Sequence, residues 1–241
     1  MIRKNRMGVG SRVLAGFAVC AGIMVAVACG DCAAARAEDK PVAVKGWGQL
    51  TDPGKDCKLR ADGDKVTLDL PAGNYDLWPK EGKVNAPRLT QPAKGDFRVE
   101  VTAKSVPLPE ADSTIVGRTS AYHSGTLLVW QDANNFVRLD RGAMIKDGRA
   151  VHFAYYHIFV NGERVTQLSQ SLTDKPARLR IERRKGKILT SFSQDEGQSW
   201  RSFAAQDDQL GASVEAGVAA LNVTTKPFTV EFEKLSLAMD K

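Results

Sequence analysis

Cysteine is scarce in this 241-residue chain, and beyond its first residues almost absent. Cys20, Cys29 and Cys32 lie near the N-terminus, which leaves Cys57 as the lone thiol of the remainder. A single cysteine closes no intramolecular disulfide, and without a Cys or His cluster beside it there is no zinc site. Histidine is as rare, with His123, His152 and His157 the whole complement. His152 and His157 are five apart, so on one strand they point to opposite faces and share no metal. There is no Gly-x-Ser-x-Gly elbow, and no phosphate-cradling glycine loop precedes a helix. These gaps argue against nucleophilic and zinc hydrolysis. A dense Asp/Asn loop of the calcium-holding kind is also lacking, so neither cofactor nor metal is expected. Helical periodicity, internal repeats and low-complexity linkers are missing too, which points to a single domain.

The N-terminus differs from the rest. Arg3, Lys4, Arg6 and Arg12 precede Val13 to Ala28, a run without charge. Ala35-Arg36-Ala37 places small residues where a signal peptidase reads. Residues 1–37 are therefore expected to be a signal peptide cleaved before Glu38, with 38–45 a tail and 46–238 the folded domain. An uncleaved anchor is disfavoured, because the run falls short of the about 20 apolar residues a span needs. Lipoprotein anchoring at Cys29 is a weaker alternative, since Ala26-Val27-Ala28-Cys29 lacks the leucine of that box. Five basic residues and one acid leave with the leader, and the net charge drops from +6 to +2. Basicity thus gives no argument for nucleic acid. The mature chain is expected in the periplasm or outside the cell, without a stable membrane span.

What is present is alternation. Leu179 and Ile181 alternate with Arg178, Arg180 and Glu182; Arg184-Lys185-Gly186-Lys187 turns the chain; Ile188, Thr190 and Phe192 resume the pattern. Val66, Leu68 and Leu70 do the same, as do Phe97, Val99 and Val101, and Phe228, Val230 and Phe232. Asn161-Gly162, after the β-branched and aromatic run Val151 to Val160, is the strongest hairpin signal. Gly73 to Pro92 reads as irregular. About a dozen strands with frequent turn signals indicate an all-β sandwich or barrel. The basic stripe Arg178, Arg180, Arg183, Arg184, Lys185 and Lys187 reads as a solvated strand edge guarded against aggregation, in preference to a site for anionic polysaccharide or phospholipid.

Five blocks carry a resemblance. They are Asp69-Leu70-Pro71, Asn85-Ala86-Pro87-Arg88, Gly95-Asp96-Phe97, Leu128 to Asp132 with Asn135 to Leu139, and Ser193 to Trp200. Together they resemble the domain of unknown function 1349 group, within the concanavalin-A-like (laminin-G-like) jelly-roll sandwiches. The same sandwich occurs as an accessory module of family 43 glycoside hydrolases. The resemblance spans residues 46–238 and implies an all-β, two-sheet antiparallel jelly roll. It implies no activity, because the fold hosts lectins, hydrolases and adhesion modules. Ser193-x-Asp195-x-Gly197-x-Ser199-Trp200 also matches the Asp-box of sialidases and other propellers, a structural turn in which Asp195 accepts local N–H bonds, Gly197 takes a positive φ and Trp200 packs across the hairpin.

Binding a sugar needs an aromatic plane for the apolar face of the ring and planar polar groups for its hydroxyls. Trp78, Trp130, Tyr155, Tyr156 and His157 are candidate rings, with Asp76, Arg88, Asn135 and Arg138 as polar partners. Tyr155 and His157 share a strand face, and Tyr156 takes the other with His152. Trp130, ending an apolar run, reads as a core residue in preference to a ligand platform. Paired-carboxylate catalysis needs two acids about 5–10 Å apart. No Glu-x-Asp-x-x-Glu spacing supplies them, and Glu231 and Glu233 read as a solvated outer face. The expectation is an exported, non-catalytic sandwich that binds polysaccharide or an envelope protein. One alternative is a periplasmic glycoside hydrolase or lyase drawing acids from Asp76, Asp132, Asp140 and Glu182. The other is a structural module that docks a protein.

Overall fold

The computed structural model describes residues 42–240, so the expected leader lies outside the described residues. The strands begin with β1 (Ala43–Val44), β2 (Gly48–Thr51), β3 (Lys58–Asp62), β4 (Lys65–Leu70), β5 (Gly73–Tyr75), β6 (Leu77–Trp78), β7 (Lys83–Val84), β8 (Arg88–Lys94) and β9 (Phe97–Ala103). Four long strands follow: β10 (Ser120–Asp132), β11 (Asn135–Lys146), β12 (Arg149–Val160) and β13 (Glu163–Leu172). The chain ends with β14 (Ala177–Arg184), β15 (Lys187–Ser193), β16 (Arg201–Ser202), β17 (Gln206–Asp207), β18 (Ser213–Thr224) and β19 (Phe228–Met239). Helix among the described residues is limited to one 3-10 turn, Pro79–Glu81.

Two large antiparallel sheets form a jelly-roll sandwich. The first runs β1-β2-β8-β18-β10-β11-β12-β13, with β5 also on β18. The second runs β16-β15-β14-β9-β19-β4-β3, with β17 also on β15. Period two decides which side chains meet between them. Val99, Val101, Leu179, Ile181, Val230 and Phe232 from the second sheet pack with Leu127, Val129, Val137, Leu139, Tyr156 and Ile158 from the first. Three hairpin turns share one geometry. Asp147 and Gly148, Asn161 and Gly162, and Lys185 and Gly186 all have positive φ at both central residues. That is the mirror-image turn whose twist suits antiparallel strands.

The structure corrects several local expectations. β14 is no edge strand, because it lies between β15 and β9. Three of its four arginines are paired with carboxylates, and Arg184 alone is left exposed. Arg178 and Arg180 hold Glu100 at 2.6 and 2.8 Å, and Arg183 meets Asp208 at 2.5 Å. Sequence alternation shows a charged face and not the charges that register brings opposite it. Glu233 is likewise buried, clamped by Lys65 and Lys104 at 2.9 and 2.7 Å. Gly73 to Pro92, read as irregular, contains β5, β6, β7 and the start of β8. Ala43 and Val44, within the segment expected as a tail, pair with Gln49 and Gly48.

The Asp-box turn is built as its chemistry requires. Asp195 accepts from Ser193 Oγ at 2.6 Å and from the Ser199 N–H at 2.9 Å. These bonds, with that of the Ser199 hydroxyl, hold its carboxyl far below the usual range. Gly197 sits at φ +94°. Trp200 donates Nε1–H to the Gly197 carbonyl at 3.1 Å, and Arg180 stacks 3.7 Å from its ring centre. Every hydrogen-bond partner named is local, which fits a structural turn.

Candidate functional site

The outer face of the first sheet carries a second, smaller apolar cluster and beside it a buried polar one. Alternation and register build both. Arg138 on β11 lies opposite Leu128 on β10 and His157 on β12, and Asp140 lies opposite Thr126 and Tyr155. One row further, Gly142 lies opposite Phe153. A Cβ at Gly142 would come within 2.3 Å of the Phe153 ring, so glycine lets that ring lie across the strand. The excursion through β6 and β7 crosses this face. Leu77 and Ala86 bury themselves on Leu128, Phe136, Phe159 and Leu221, which fixes Asp76 and Trp78 on either side of Leu77.

Arg138 is the centre of the polar cluster. Its Nη1 donates to Asp76 Oδ1 and to the Leu77 carbonyl, both at 3.2 Å. Its Nε lies 3.1 Å from His157 Nδ1 and 3.4 Å from Asp140 Oδ2. Asp76 also accepts from the Leu77 N–H at 2.8 Å and from the Tyr122 hydroxyl. Asp140 takes a bond from Thr126 Oγ1 at 2.7 Å. All four of Asp76, Arg138, Asp140 and His157 are at most 2% exposed. Burial raises the Asp140 carboxyl above the ordinary range, against the opposing pull of Arg138 and Thr126. His157 is driven well below its usual value by burial, then by Arg138 and Arg164, so it is neutral. An arginine Nε–H only donates, so His157 Nδ1 is the acceptor and Nε2 carries the proton. That Nε2–H is buried without a partner.

Above the cluster lies a cavity of about 190 Å³. Trp78, Phe153 and Tyr155 supply aromatic lining, and Arg138, Asp140 and His157 supply polar lining. Arg164, Lys146 and Gln167 also line it. Arg164 stacks 4.6 Å from the Trp78 ring centre, and His157 meets that ring edge-on at 6.3 Å. A larger cavity, about 410 Å³, lies elsewhere beside Lys104, Arg178, Gln194 and Glu233, with no aromatic side chain in its lining. Among the described residues no group of three His, Cys, Asp or Glu is placed to hold a metal ion.

Trp78, Arg138, Tyr155 and His157 are thus brought together around one cavity, with Asp76 directly behind Arg138. Trp130, Arg88 and Asn135 are not. Trp130 stacks on Phe136 at 5.2 Å beneath Arg88 at 4.2 Å, and is 7% exposed. Asn135 spends its amide on Asp132 at 2.9 and 3.0 Å and accepts from the Asn161 N–H, tying two hairpin turns together. Sequence reasoning placed the functional groups on an outer surface. The candidate groups lie on the outer face of the first sheet, but the ionisable centre is buried beneath the β6–β7 excursion and not presented on an open surface. Tyr122, Phe153, Lys146 and Arg164 were missed. Phe153 was findable, since it shares the face parity of Tyr155 and His157.

Comparison with solved structures supports the fold. A functionally unknown protein from Saccharomyces cerevisiae superposes with TM-score 0.63 at 17% identity, over 81% of this chain and 97% of that one. The GH43 protein BlXynB from Bacillus licheniformis gives 0.57 at 13% identity, over 79% of this chain and 36% of that one. A xylan β-1,4-xylosidase from Bacillus halodurans C-125 gives 0.54 at 15%, over 83% and 38%. The chain therefore spans little over a third of each of these two glycoside hydrolases. No protein-family model matches the sequence, and no curated protein does. The β-sandwich of these proteins is shared, and the narrower group suggested by the sequence blocks has no match beside it.

Proposed function

We propose that this chain is an exported saccharide-binding β-sandwich whose site is the cavity over Arg138. The observation that carries the reading is the pairing of an aromatic lining, Trp78 and Tyr155, with the polar groups of Arg138, Asp140 and His157. A pyranose offers the same two surfaces, apolar on its faces and polar at its rim. At about 190 Å³ the cavity is smaller than the roughly 300–1,000 Å³ of sites for drug-sized ligands, and suits one sugar ring. The fold shared with a GH43 protein and a xylan β-1,4-xylosidase supports the carbohydrate class without supplying an activity. Membership of the domain of unknown function 1349 group rests on the sequence blocks, and export rests on the expected leader.

A hydrolytic reading finds less support. Of the four acids weighed for it, Asp140 alone lines the cavity. Asp76 is held behind Arg138 by Tyr122 and the Leu77 N–H, Asp132 is spent on a turn, and Glu182 sits by a separate cleft.

Trp78→Ala is expected to weaken saccharide binding by about 1.4–2.8 kcal/mol, roughly ten- to a hundredfold, in isothermal titration against a panel of mono- and oligosaccharides. Trp200→Ala, at the distant turn, is expected to leave it unchanged. Equal affinity in wild type and Trp78→Ala, or loss confined to Trp200→Ala, would remove this cavity from the account.

A further inference from the structure

We infer that the cavity selects a sugar bearing a carboxylate, a uronic acid residue of an acidic polysaccharide. The inference rests on the saccharide reading above and narrows it. Three observations carry it.

The first is the unpartnered donor. His157 is fixed by Arg138 as the Nε2–H tautomer, and that N–H is buried in the lining without an acceptor. A buried donor left unpaired is unfavourable, and a ligand acceptor relieves it. The second is the charge of the lining. Arg138, Lys146 and Arg164 contribute three cations against a single carboxylate, Asp140. Asp140 is already engaged by Thr126 and Arg138. The third is that Arg138 is neutralised by Asp76 and Asp140, whereas Arg164 and Lys146 have no carboxylate partner among the described residues. Both are exposed at the mouth, and Arg164 is positioned by its stack on Trp78.

Such a lining sets three cations against one engaged carboxylate, and Ser120, Tyr155 and Gln167 add neutral groups that both donate and accept. Those neutral groups serve any sugar hydroxyl, whereas a carboxylate, which only accepts, also draws on the cations. A ring stacked on Trp78 would present its carboxylate to Arg164 and Lys146, and a ring or hydroxyl oxygen to His157. Charge-assisted bonds to arginine are roughly twice as strong as neutral ones, so discrimination against a neutral sugar is expected to be at least about tenfold.

The test is isothermal titration of the full chain with trigalacturonate, with a glucuronate oligomer, and with xylotriose as the neutral probe. The expected result is binding of a uronate at least about tenfold tighter than xylotriose, weakening as salt rises from about 50 to 300 mM. The pair Arg164→Gln with Lys146→Gln is expected to remove that preference, lowering uronate affinity at least about tenfold more than xylotriose affinity. His157→Phe is expected to weaken uronate binding, and His157→Gln, which restores an N–H, to recover part of it. Thermal melts of each variant separate lost binding from lost folding. Equal or tighter binding of xylotriose, or uronate affinity untouched by the paired Arg164 and Lys146 changes, overturns this inference and leaves the saccharide site standing. Binding of no saccharide overturns both.

Discussion

Arg138→Met is expected to destabilise the fold by about 3–5 kcal/mol, the usual cost of stranding a buried charge by deleting its partner. For a domain of this size that corresponds to a fall in Tm of roughly 10 °C. The guanidinium is the common counter-charge of Asp76 and Asp140, each of them at most 2% exposed. Without it two buried carboxylates are left close together with no counter-charge between them. The pH dependence gives the effect a second readout. The Asp140 carboxyl is raised in the folded chain by burial, and Arg138 is the largest influence holding it down. Its removal pushes that carboxyl further up. Between the unfolded value of 3.8 and the folded value, the folded chain binds the extra proton, so stability falls as pH rises through that window. The penalty of Arg138→Met should therefore shrink toward pH 4 and be largest above neutrality. Adding Asp140→Asn should recover part of it. A penalty below about 1 kcal/mol, or one independent of pH, would mean the cluster is not coupled as described. Chemical denaturation across pH is the measurement.

Gly217→Val should be harsher, leaving little or no soluble folded protein. Gly217 lies within β18, which pairs with β8 on one side and β10 on the other. A Cβ there would stand 2.1 Å from the Leu89 carbonyl oxygen and 2.9 Å from the Thr90 Cα, both backbone atoms. No rotamer relieves a clash with backbone, so β8 has to separate from β18. That takes β1 and β2 with it, since they join the sheet only through β8. Circular dichroism and the soluble fraction on expression read the outcome. A variant with an unchanged melt would show that the two strands are less closely apposed than they are here.

How much of this was legible beforehand follows from the range of each interaction. Hairpin turns such as Asn161-Gly162 and the Ser193 to Trp200 loop are local, and both stand as their chemistry suggests. Face parity is local as well, which is why Tyr155 and His157 fall on one side and Tyr156 on the other, where the structure buries it in the core and removes it from the candidate rings. Register between distant strands is not. Nothing in the spacing of Arg178 and Arg180 reveals that Glu100 on β9 lies opposite Arg180, so a neutralised central strand looked like a charged edge. Trp130 shows the same limit at the candidate site. Its parity put it on the outer face, but its row pairs with Phe136, next to that of Arg138. Arg88 caps it there, outside the cavity. The excursion that carries Asp76 and Trp78 over the sheet combines alternating and turn-forming residues in too short a space for either period to register.

The account is tested most directly by amide hydrogen exchange of the full chain, alone and with saturating trigalacturonate or xylotriose. It requires that at least one saccharide slow exchange in the β6–β7 excursion, residues 76–86, and along β12 and β13 from 153 to 167. Protection centred on residues 193–200, or none with any saccharide, would contradict it.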